Sequence, residues 1–430
     1  MSSSSSPEPT TGDSGRQRTG RRRWEVADVV RRYGEQFCAH YRPLPEQRGV
    51  LSAIEVCQTE ALGGHWIHCE ACAREPPAYT SCRNRHCPRC LGSASARWVD
   101  AERTQLLPVP YFHVVFTLPH RLNPLLRVNP ALLYGLLFQS TAETLQQFAA
   151  DPDWLGGQVG ITAVLHTWGQ TMGFHVHLHG VLTGGGLGFD QKRWKLPRKG
   201  KRRGAFLFPV LALGKVCRAK YRDGLERLRR RQQLLYLGQS APLATDANGR
   251  QWLDEVLAQD WVVYVKQPFA GPDRVLKYLS RYTHRIAISN ARIVDLDERT
   301  ATVRFTYQDY RTAAKANGRG SPRPKRRVME LDALEFLRRV LQHVLPKGFV
   351  RIRHYGILSN RGRQQKLELA RRALGVDIAS DPAPCATAPP ACEALPTAQD
   401  VPTGRRCPYC GSTQLRVLRD IARQPRSRSP

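Results

Sequence analysis

The sequence predicts an α+β protein in which helices accompany a central antiparallel sheet, with a small zinc-binding domain before it. Three observations support this fold class. A strand-like stretch carries histidines at alternate positions, His175, His177 and His179, into a glycine-rich turn. Two Cys-x-x-Cys pairs lie close together near the N-terminus, and apolar residues recur at helical spacing between the strand-like stretches.

Composition limits the classes of function. The 430 residues include 66 Lys and Arg against 36 Asp and Glu, which gives a net charge of +30. Such a charge indicates a polyanionic partner, with nucleic acid as the first expectation and an anionic membrane surface as the second. Because the sequence shows no apolar run of membrane-spanning length and no signal-peptide pattern, we expect a protein of the cytoplasm or nucleoid and no membrane partner. In that compartment, the twelve cysteines favour metal binding over disulfides.

The first part of the chain divides into two segments. Residues 1–23 are rich in Ser, Pro, Gly and Arg with almost nothing to bury, which predicts a disordered basic tail. Apolar spacing between Trp24 and Leu62 predicts two short helices interrupted around Pro43 and Pro45.

The next segment has the pattern of a zinc site. Cys69-x-x-Cys72 and Cys87-x-x-Cys90 are separated by fourteen residues, close to the spacing of four-cysteine zinc sites. We predict that these four thiolates hold one structural zinc ion. A second candidate zinc set within the segment consists of Cys57, His65, Cys82 and His86. The alternative is that these four are ordinary buried residues. Arg83 and Arg85 beside the cysteines are candidate DNA contacts.

The alternating histidines predict a second kind of metal centre. Side chains two apart on a strand point to the same face about 6.7 Å from each other, so three in a row cannot converge on one ion. An adjacent pair plus a ligand from a neighbouring strand is workable. Residues 161–168 predict that neighbour, and a four-residue loop at 170–173 places His166 opposite His177. A lone histidine on a strand is usually structural, but this pattern favours a metal site. Imidazole does not by itself name the ion.

A later helix carries the candidate nucleophiles. Pro272 and Asp273 begin a stretch of good helix formers on which Tyr278 and Tyr282 share one face, four residues apart. The residues Lys277, Arg281 and Arg285 form a similarly spaced basic row, which predicts DNA contact. A tyrosine pair with this spacing is more often packing than chemistry. Beside a metal site in a basic protein, however, it predicts attack of a phenol oxygen on a phosphodiester, with formation of a phosphotyrosine bond.

These motifs together resemble a known family. His177-Leu178-His179, the stretch from Tyr278 to Arg285 and the cysteine-rich segment from Leu62 to Cys90 are similar to the two-tyrosine HUH rolling-circle transposases of bacterial insertion sequences, of the insertion-sequence ninety-one type. The resemblance runs from about residue 25 to 360. It implies a sheet of the replication-initiator, ferredoxin-like type. It also implies His177, His179 and His166 as ligands of catalytic Mg or Mn, and Tyr278 and Tyr282 as nucleophiles.

The same resemblance implies the substrate and the domain boundaries. Its substrate is single-stranded, hairpin-forming DNA at element ends and targets, which is nicked and rejoined through 5′-phosphotyrosine intermediates. The expected domains are the tail (1–23), a zinc-binding DNA-recognition domain (24–95), the catalytic domain (96–360) and a flexible C-terminal tail (361–430). The sequence does not indicate an oligomeric state.

Two alternative functions stay open at this stage. A plasmid replication or conjugation nickase would use the same chemistry, and a non-catalytic zinc-dependent DNA-binding protein would use none.

The role of the C-terminal motif Cys407-x-x-Cys410, which is half a zinc site, also stays open. It has three possible explanations: recruitment of Cys385 and Cys392, pairing between chains, or a degenerate remnant.

Overall fold

The computed structural model describes residues 24–197, 207–259, 261–269, 274–275, 286–310, 325–376 and 405–424; the predicted basic tail lies outside them. The helices are α1 (Val26–Tyr41), α2 (Pro45–Val56), α3 (Leu91–Arg103), α4 (Asn123–Val128), α5 (Pro130–Ala150), α6 (Val210–Arg230), α7 (Asp246–Ala258), α8 (Ala333–Leu341) and α9 (Arg363–Ala373). The strands are β1 (Gly64–Cys69), β2 (Pro77–Tyr79), β3 (Tyr111–Thr117), β4 (Gly157–Gln158), β5 (Gly160–Trp168), β6 (Phe174–Thr183), β7 (Gly186–Gly188), β8 (Trp194–Lys195), β9 (Val263–Phe269), β10 (Ile293–Asp297), β11 (Thr302–Asp309), β12 (Lys325–Asp332), β13 (Ile352–Gly356) and β14 (Leu415–Ile421). The predicted α+β class is confirmed.

A central antiparallel sheet is built from strands in the order β13, β5, β6, β3, β9 among the described residues. The β5–β6 hairpin lies in its middle, and His166 pairs with His177 as predicted. The loop differs from the prediction, because Trp168 rather than Gly169 pairs with Phe174. A register irregularity between His166 and Trp168 absorbs the one-residue difference, so the histidine stays on its predicted face.

One face of this sheet forms the main hydrophobic core. Phe116, Leu165 and Leu178 come from three adjacent strands and pack in one buried cluster with Leu137 of α5 and Tyr221 of α6. Burying each such side chain contributes about 1.5–3 kcal/mol. Since successive strand residues alternate between faces, the odd-numbered residues of β6, including the three histidines, point to the opposite side. We call that side the histidine face.

The N-terminal helices pack against a distant part of the chain. The backbone N–H of Glu25 donates to the Asp28 carboxylate at 2.9 Å at the start of α1, and Pro45 opens α2. Both helices share a buried cluster with Phe305 of β11 and Phe336 of α8. The expected domain of residues 24–95 therefore does not have a core of its own among the described residues.

The expectation of a flexible tail from residue 361 is wrong for its described parts. Helix α9 buries Leu367 and Ala370 against the loop after β13, and β14 pairs with β1. The tail prediction missed β14 because an arginine-rich, mostly exposed strand has no sequence signal until its partner edge is known. Residues 377–404 lie outside the described residues. Within the described parts of the chain, no helix has the length and apolar character needed to span a bilayer.

Candidate metal centres

The β5–β6 hairpin brings three histidines together. His166, His177 and His179 each offer a ring nitrogen within 4.8 Å of the others. The ring centroids of His166 and His179 lie 4.5 Å apart, and those of His177 and His179 lie 4.9 Å apart. The geometry is an adjacent pair on one strand with a third ring from the neighbouring strand, as the sequence predicted. We call these residues the histidine cluster.

Hydrogen bonds orient two rings of the histidine cluster. The Nδ1–H of His177 donates to the backbone carbonyl of His175 at 2.9 Å. The Nδ1 of His179 lies 2.9 Å from the Nε2 of His113, a buried residue of β3. With the proton of His179 on Nδ1, both ligand rings present Nε2 as the free nitrogen. Such outer contacts fix the tautomer and the ring plane of metal ligands.

The histidine cluster is buried, and burial favours the neutral form of His177, which is the form that binds a metal. His166 is 4% exposed and His179 is 8% exposed. Burial, assisted by the neighbouring His175, lowers the pKa of His177 to about 4. A group of three neutral imidazoles with open positions suits a divalent cation, and among the two expected ions it suits Mn²⁺ better than the more oxygen-selective Mg²⁺.

His175 and His113 show what the strand pattern alone does not reveal. His175 lies on the histidine face, but its Nδ1 is 2.7 Å from the Nε2 of His120 and it is not part of the cluster. His113 was missed by the sequence analysis. His113 lies in the strand predicted at residues 111–117, but its proximity to His179 can be inferred only when β3 is known to pair with β6.

The first thiol cluster contains Cys57, Cys82, Cys87 and Cys90. The Sγ of Cys90 lies 3.6 Å from the Sγ of Cys57 and 3.6 Å from that of Cys82. Four sulfurs bound to zinc at 2.3 Å would be about 3.8 Å apart in a tetrahedron. A disulfide would need about 2.05 Å, so the spacing fits a metal and not a covalent bond.

Mutual hydrogen bonds strongly separate the acidities within this cluster. Contacts from Cys82 and then Cys87 lower the pKa of Cys57 to about 2, whereas the hydrogen bond with Cys57 raises the pKa of Cys87. Cys57 therefore ionises easily, whereas Cys87 resists ionisation. A bound cation is what allows four thiolates to coexist.

The second thiol cluster contains Cys69, Cys72, Cys407 and Cys410. The predicted set of Cys69, Cys72, Cys87 and Cys90 is therefore divided between two groups, and the grouping prediction is corrected. The two knuckles lie apart because Cys69 ends β1, which pairs with β14, whereas Cys87–Cys90 precedes α3 next to the end of α2. The spacing of fourteen residues could not show which knuckles converge.

The second predicted zinc set is also corrected. Cys57 and Cys82 do contribute thiols, but with Cys87 and Cys90 in place of the two histidines. The Nδ1 of His65 lies 2.8 Å from the carboxylate of Asp420. His86 lies outside the sulfur group, and burial lowers its pKa to about 3.

The predicted nucleophiles and the basic row cannot be located in the structure. The predicted site residues that fall outside the described parts of the chain are Lys277, Tyr278, Arg281, Tyr282 and Arg285. Cys385 and Cys392 also fall outside them. Of the two predicted DNA-binding arginines near the cysteines, Arg83 is exposed. Arg85 is half-buried, and its guanidinium donates to the backbone carbonyls of Phe349 and Pro346. The Arg85 guanidinium therefore stabilises the fold through these backbone contacts and is not free to contact phosphate.

A cleft of about 630 Å³ adjoins the hairpin end of the histidine face. Its described lining includes Leu91 and Ala96 of α3, Trp168 of β5, and Ile286. The indole of Trp168 stacks on the ring of His166, with centroids 4.5 Å apart and planes 20° from parallel. Trp168 therefore lines the cleft and also contacts His166 of the histidine cluster.

Comparison with known proteins places both halves of this arrangement in recognised families. Residues 160–366 match a family described as "Putative transposase", and residues 29–118 match the "Transposase zinc-binding domain". The chain is 43% identical over 395 residues to the "Putative transposase y4qJ" of Sinorhizobium fredii, covering 91% of this chain and 94% of that protein. It is 31% identical over 341 residues to the "Transposase for insertion sequence element IS801" of Pseudomonas savastanoi pv. phaseolicola, covering 76% of each. No solved structure matches the chain.

Proposed function

Because the chain belongs to the transposases of insertion sequences of the insertion-sequence ninety-one type, with their N-terminal zinc-binding domain, we propose that it nicks and rejoins single-stranded DNA at element ends. The reaction proceeds through 5′-phosphotyrosine intermediates in rolling-circle transposition. Tyr278 and Tyr282 are the proposed nucleophiles, and the histidine cluster is the proposed site of a catalytic Mg²⁺ or Mn²⁺. Acting on element DNA, the protein works at the nucleoid of the bacterial cytoplasm.

The observation that carries this proposal is the histidine cluster, and the described residues on either side of the tyrosine segment support it. Val275 is completely buried in a cluster with Tyr111 and Val181, both on the histidine face. Ile286 lines the same cleft as Trp168. Val275 and Ile286, the described residues that flank the segment with both tyrosines, therefore lie near this face.

Chain length limits how far the tyrosines can be from these anchors. Tyr278 follows Val275 by three residues, which span at most about 11 Å. Tyr282 precedes Ile286 by four residues, which span at most about 14 Å. These limits are compatible with a phenol oxygen near the histidine cluster.

An arginine fixes the second anchor to the hairpin loop. The guanidinium of Arg292 donates to the carbonyl of Ala287 at 3.0 Å and also to the carbonyl of Gln170. A third bond joins it to the carbonyl of Thr306 at 2.7 Å. Arg292 thus connects the chain after the tyrosine segment to the loop between β5 and β6.

The chemistry needs help that this site is suited to give. A tyrosine has a pKa near 10, so about one in a thousand is ionised at neutral pH, and the anionic phosphodiester repels a phenolate. A divalent cation held by the three imidazoles would polarise the scissile phosphate and neutralise the charge that develops on its oxygens. His166, His177 and His179 supply neutral nitrogen ligands, and Trp168 covers one side of the His166 ring.

The proposed transfer conserves the phosphodiester bond energy. The phenol oxygen bonds to phosphorus and loses its proton, while the bond from phosphorus to the 3′ oxygen breaks and that oxygen takes up a proton. The DNA 5′ phosphate is then joined to tyrosine, and attack by a 3′ hydroxyl reverses the step without ATP. Two tyrosines permit two successive transfers, one for each end of a moving strand.

The net charge of +30 and the exposed Arg83 support DNA as the partner. Lys277, Arg281 and Arg285 are proposed to hold the backbone of single-stranded or hairpin DNA beside the tyrosines. Because phosphate contacts release counterions, we expect binding to weaken steeply as salt concentration rises.

The test is formation of a covalent protein–DNA adduct that resists denaturant. The full-length protein is incubated with labelled single-stranded element-end DNA and Mn²⁺, then resolved by denaturing electrophoresis. We expect an adduct in the parent and in the control Tyr310→Phe, whose tyrosine is exposed, and none in the Tyr278→Phe, Tyr282→Phe double variant. Adduct at the parental level in the double variant would refute the nucleophile assignment.

A further inference from the structure

The second thiol cluster joins the two ends of the described chain. Cys69 ends β1 near the N-terminus and Cys72 follows it, whereas Cys407 and Cys410 precede β14 near the C-terminus. The Sγ atoms of Cys69 and Cys410 lie 3.5 Å apart, and those of Cys72 and Cys407 lie 3.7 Å apart. Both distances are close to the separation of about 3.8 Å in a tetrahedral zinc site and far from a disulfide bond length.

The two knuckles have the same backbone conformation. In each, the residue four positions after the first cysteine donates its N–H to the carbonyl of that cysteine, at 2.8 Å from Ala73 to Cys69 and 2.9 Å from Gly411 to Cys407. The N–H of each first cysteine donates to the carbonyl five positions later, at 3.0 and 2.8 Å. Ala73 and Gly411 both have left-handed backbone, with φ of 53° and 78°. Two matched knuckles that point two thiols each at one centre are what a four-cysteine zinc site requires.

Strand pairing brings the knuckles together independently of the sulfurs. β14 pairs antiparallel with β1 from Gly64 opposite Ile421 to Cys69 opposite Leu415. Gly63, which has φ of 64°, allows this approach, because a Cβ there would lie 2.5 Å from the carbonyl oxygen of Ile421. The C-terminal strand is therefore an integral part of the sheet that carries the first knuckle.

A side-chain contact connects the knuckles on their outer side. The guanidinium of Arg74 lies 4.6 Å from the ring centroid of Tyr409, within the range of a cation–π interaction. Arg74 comes two residues after Cys72, and Tyr409 lies between the two C-terminal cysteines. The contact therefore joins the same two knuckles as the sulfur group.

We propose that Cys69, Cys72, Cys407 and Cys410 bind one zinc ion within a single chain, separate from the zinc held by Cys57, Cys82, Cys87 and Cys90. Cys407 and Cys410 lie outside both regions that match known families, residues 29–118 and 160–366. The zinc-binding domain is therefore discontinuous, and the end of the chain completes it. Loss of this ion releases β14 from β1, because binding free energy of a structural zinc is folding free energy.

The test is the zinc content of full-length variants, measured by mass spectrometry of the metal after purification with zinc. We expect two equivalents per chain in the parent and one in each double variant, Cys69→Ser with Cys72→Ser and Cys407→Ser with Cys410→Ser. The quadruple variant also keeps one equivalent, since both pairs serve the same ion. A quadruple variant that loses twice as much zinc as either double variant would overturn the shared site.

Two further variants control for damage to the fold. Cys38→Ser, at a partly exposed cysteine outside both clusters, keeps two equivalents. Cys410→His replaces the exposed ligand with another zinc ligand, and we expect it to keep two equivalents where Cys410→Ser loses one. Equal loss in the histidine and serine variants would count against a ligand role for Cys410.

Mixing distinguishes a site within one chain from a site between chains. The two double variants are combined in equal amounts, unfolded, and refolded together with zinc. Zinc content stays at one equivalent per chain if each site needs both ends of the same chain. A rise above one equivalent would overturn the single-chain site, because it would show that the knuckles of two chains complement each other.

Discussion

The thiol clusters and the histidine cluster are built on different principles. Each thiol cluster has four ligands, enough to close a tetrahedral zinc site, and takes them from tight turns that the metal itself can order. The histidine cluster has three ligands on the pleated face of a sheet whose opposite face is hydrophobic core. The sheet therefore holds the histidines in place without a metal, and in the proposed function a bound ion keeps open positions for substrate. On that proposal, the difference separates metal that maintains the fold from metal that serves catalysis.

The largest effect is expected at the histidine cluster. His177→Ala with His179→Ala should reduce the rate of adduct formation by about 10³-fold or more, because the site loses the charge stabilisation of its cation. The thermal unfolding midpoint should change little, since the core lies on the other face. Single-turnover assays with labelled DNA and calorimetry measure the two quantities.

His175→Ala is the matched control for that prediction. His175 lies on the same strand and face, but its ring pairs with His120 outside the cluster. We expect less than about a tenfold change in rate, because no ligand is lost. An effect as large as that of the double variant would mean that His175 and His177 form the ligand pair.

The second prediction concerns the first thiol cluster. Cys87→Ser should remove one zinc equivalent and lower the free energy of unfolding by about 3 kcal/mol or more, because Cys87 is 1% exposed and packs in the cluster of α1 and α2. Denaturant unfolding and zinc analysis measure this. Full stability with one zinc missing would show that these thiols do not support the fold, which would contradict the structural role assigned to the thiol clusters.

The third prediction uses a buried pair on the histidine face that does not belong to the metal cluster. The Nε2 of His354 lies 3.5 Å from the carboxylate of Glu102. Burial, opposed by Arg363, raises the pKa of Glu102 to about 7, and burial, followed by repulsion from Arg363, lowers the pKa of His354 to about 4. The folded state therefore binds more protons at Glu102 and fewer at His354 than the unfolded state does.

The two groups have opposite effects on stability. Glu102 makes the protein less stable as pH rises from about 4.5 to 7, and His354 makes it more stable as pH rises from about 4 to 6.5. Glu102→Gln removes only the first effect, so above pH 7 the free energy of unfolding of the variant should exceed that of the parent by about 3 kcal/mol. Denaturant unfolding from pH 5 to 8 measures this. An unchanged pH dependence in the variant would contradict the protonation of buried Glu102.

The smallest effect is expected at the residue that orients His179. His113→Phe should weaken Mn²⁺ binding by about tenfold, because the ring of His179 loses the partner of its Nδ1. His113→Gln, whose side-chain oxygen can accept that N–H, should retain most of the affinity. Isothermal titration with Mn²⁺ compares the two. Equal weakening in both variants would indicate a packing role in place of an orienting one.

The predictability of these two regions from sequence also differs. The prediction placed His166 opposite His177 although its loop was one residue too short, because a register irregularity between His166 and Trp168 preserved the pairing. The cysteine partners were not predictable, because which knuckles converge depends on β14 pairing with β1 across most of the chain. His113 was missed for the same reason, since its contact with His179 depends on strands far apart in sequence.

The measurement that tests the central claim most directly is Mn²⁺ binding to zinc-loaded protein, followed by electron paramagnetic resonance. We predict one tight Mn²⁺ site per chain in the parent and none in the His177→Ala, His179→Ala variant, with the same zinc content in both proteins. Tight Mn²⁺ binding at parental stoichiometry in the variant, or loss of zinc together with Mn²⁺, would contradict the separation of a catalytic histidine site from structural thiol sites.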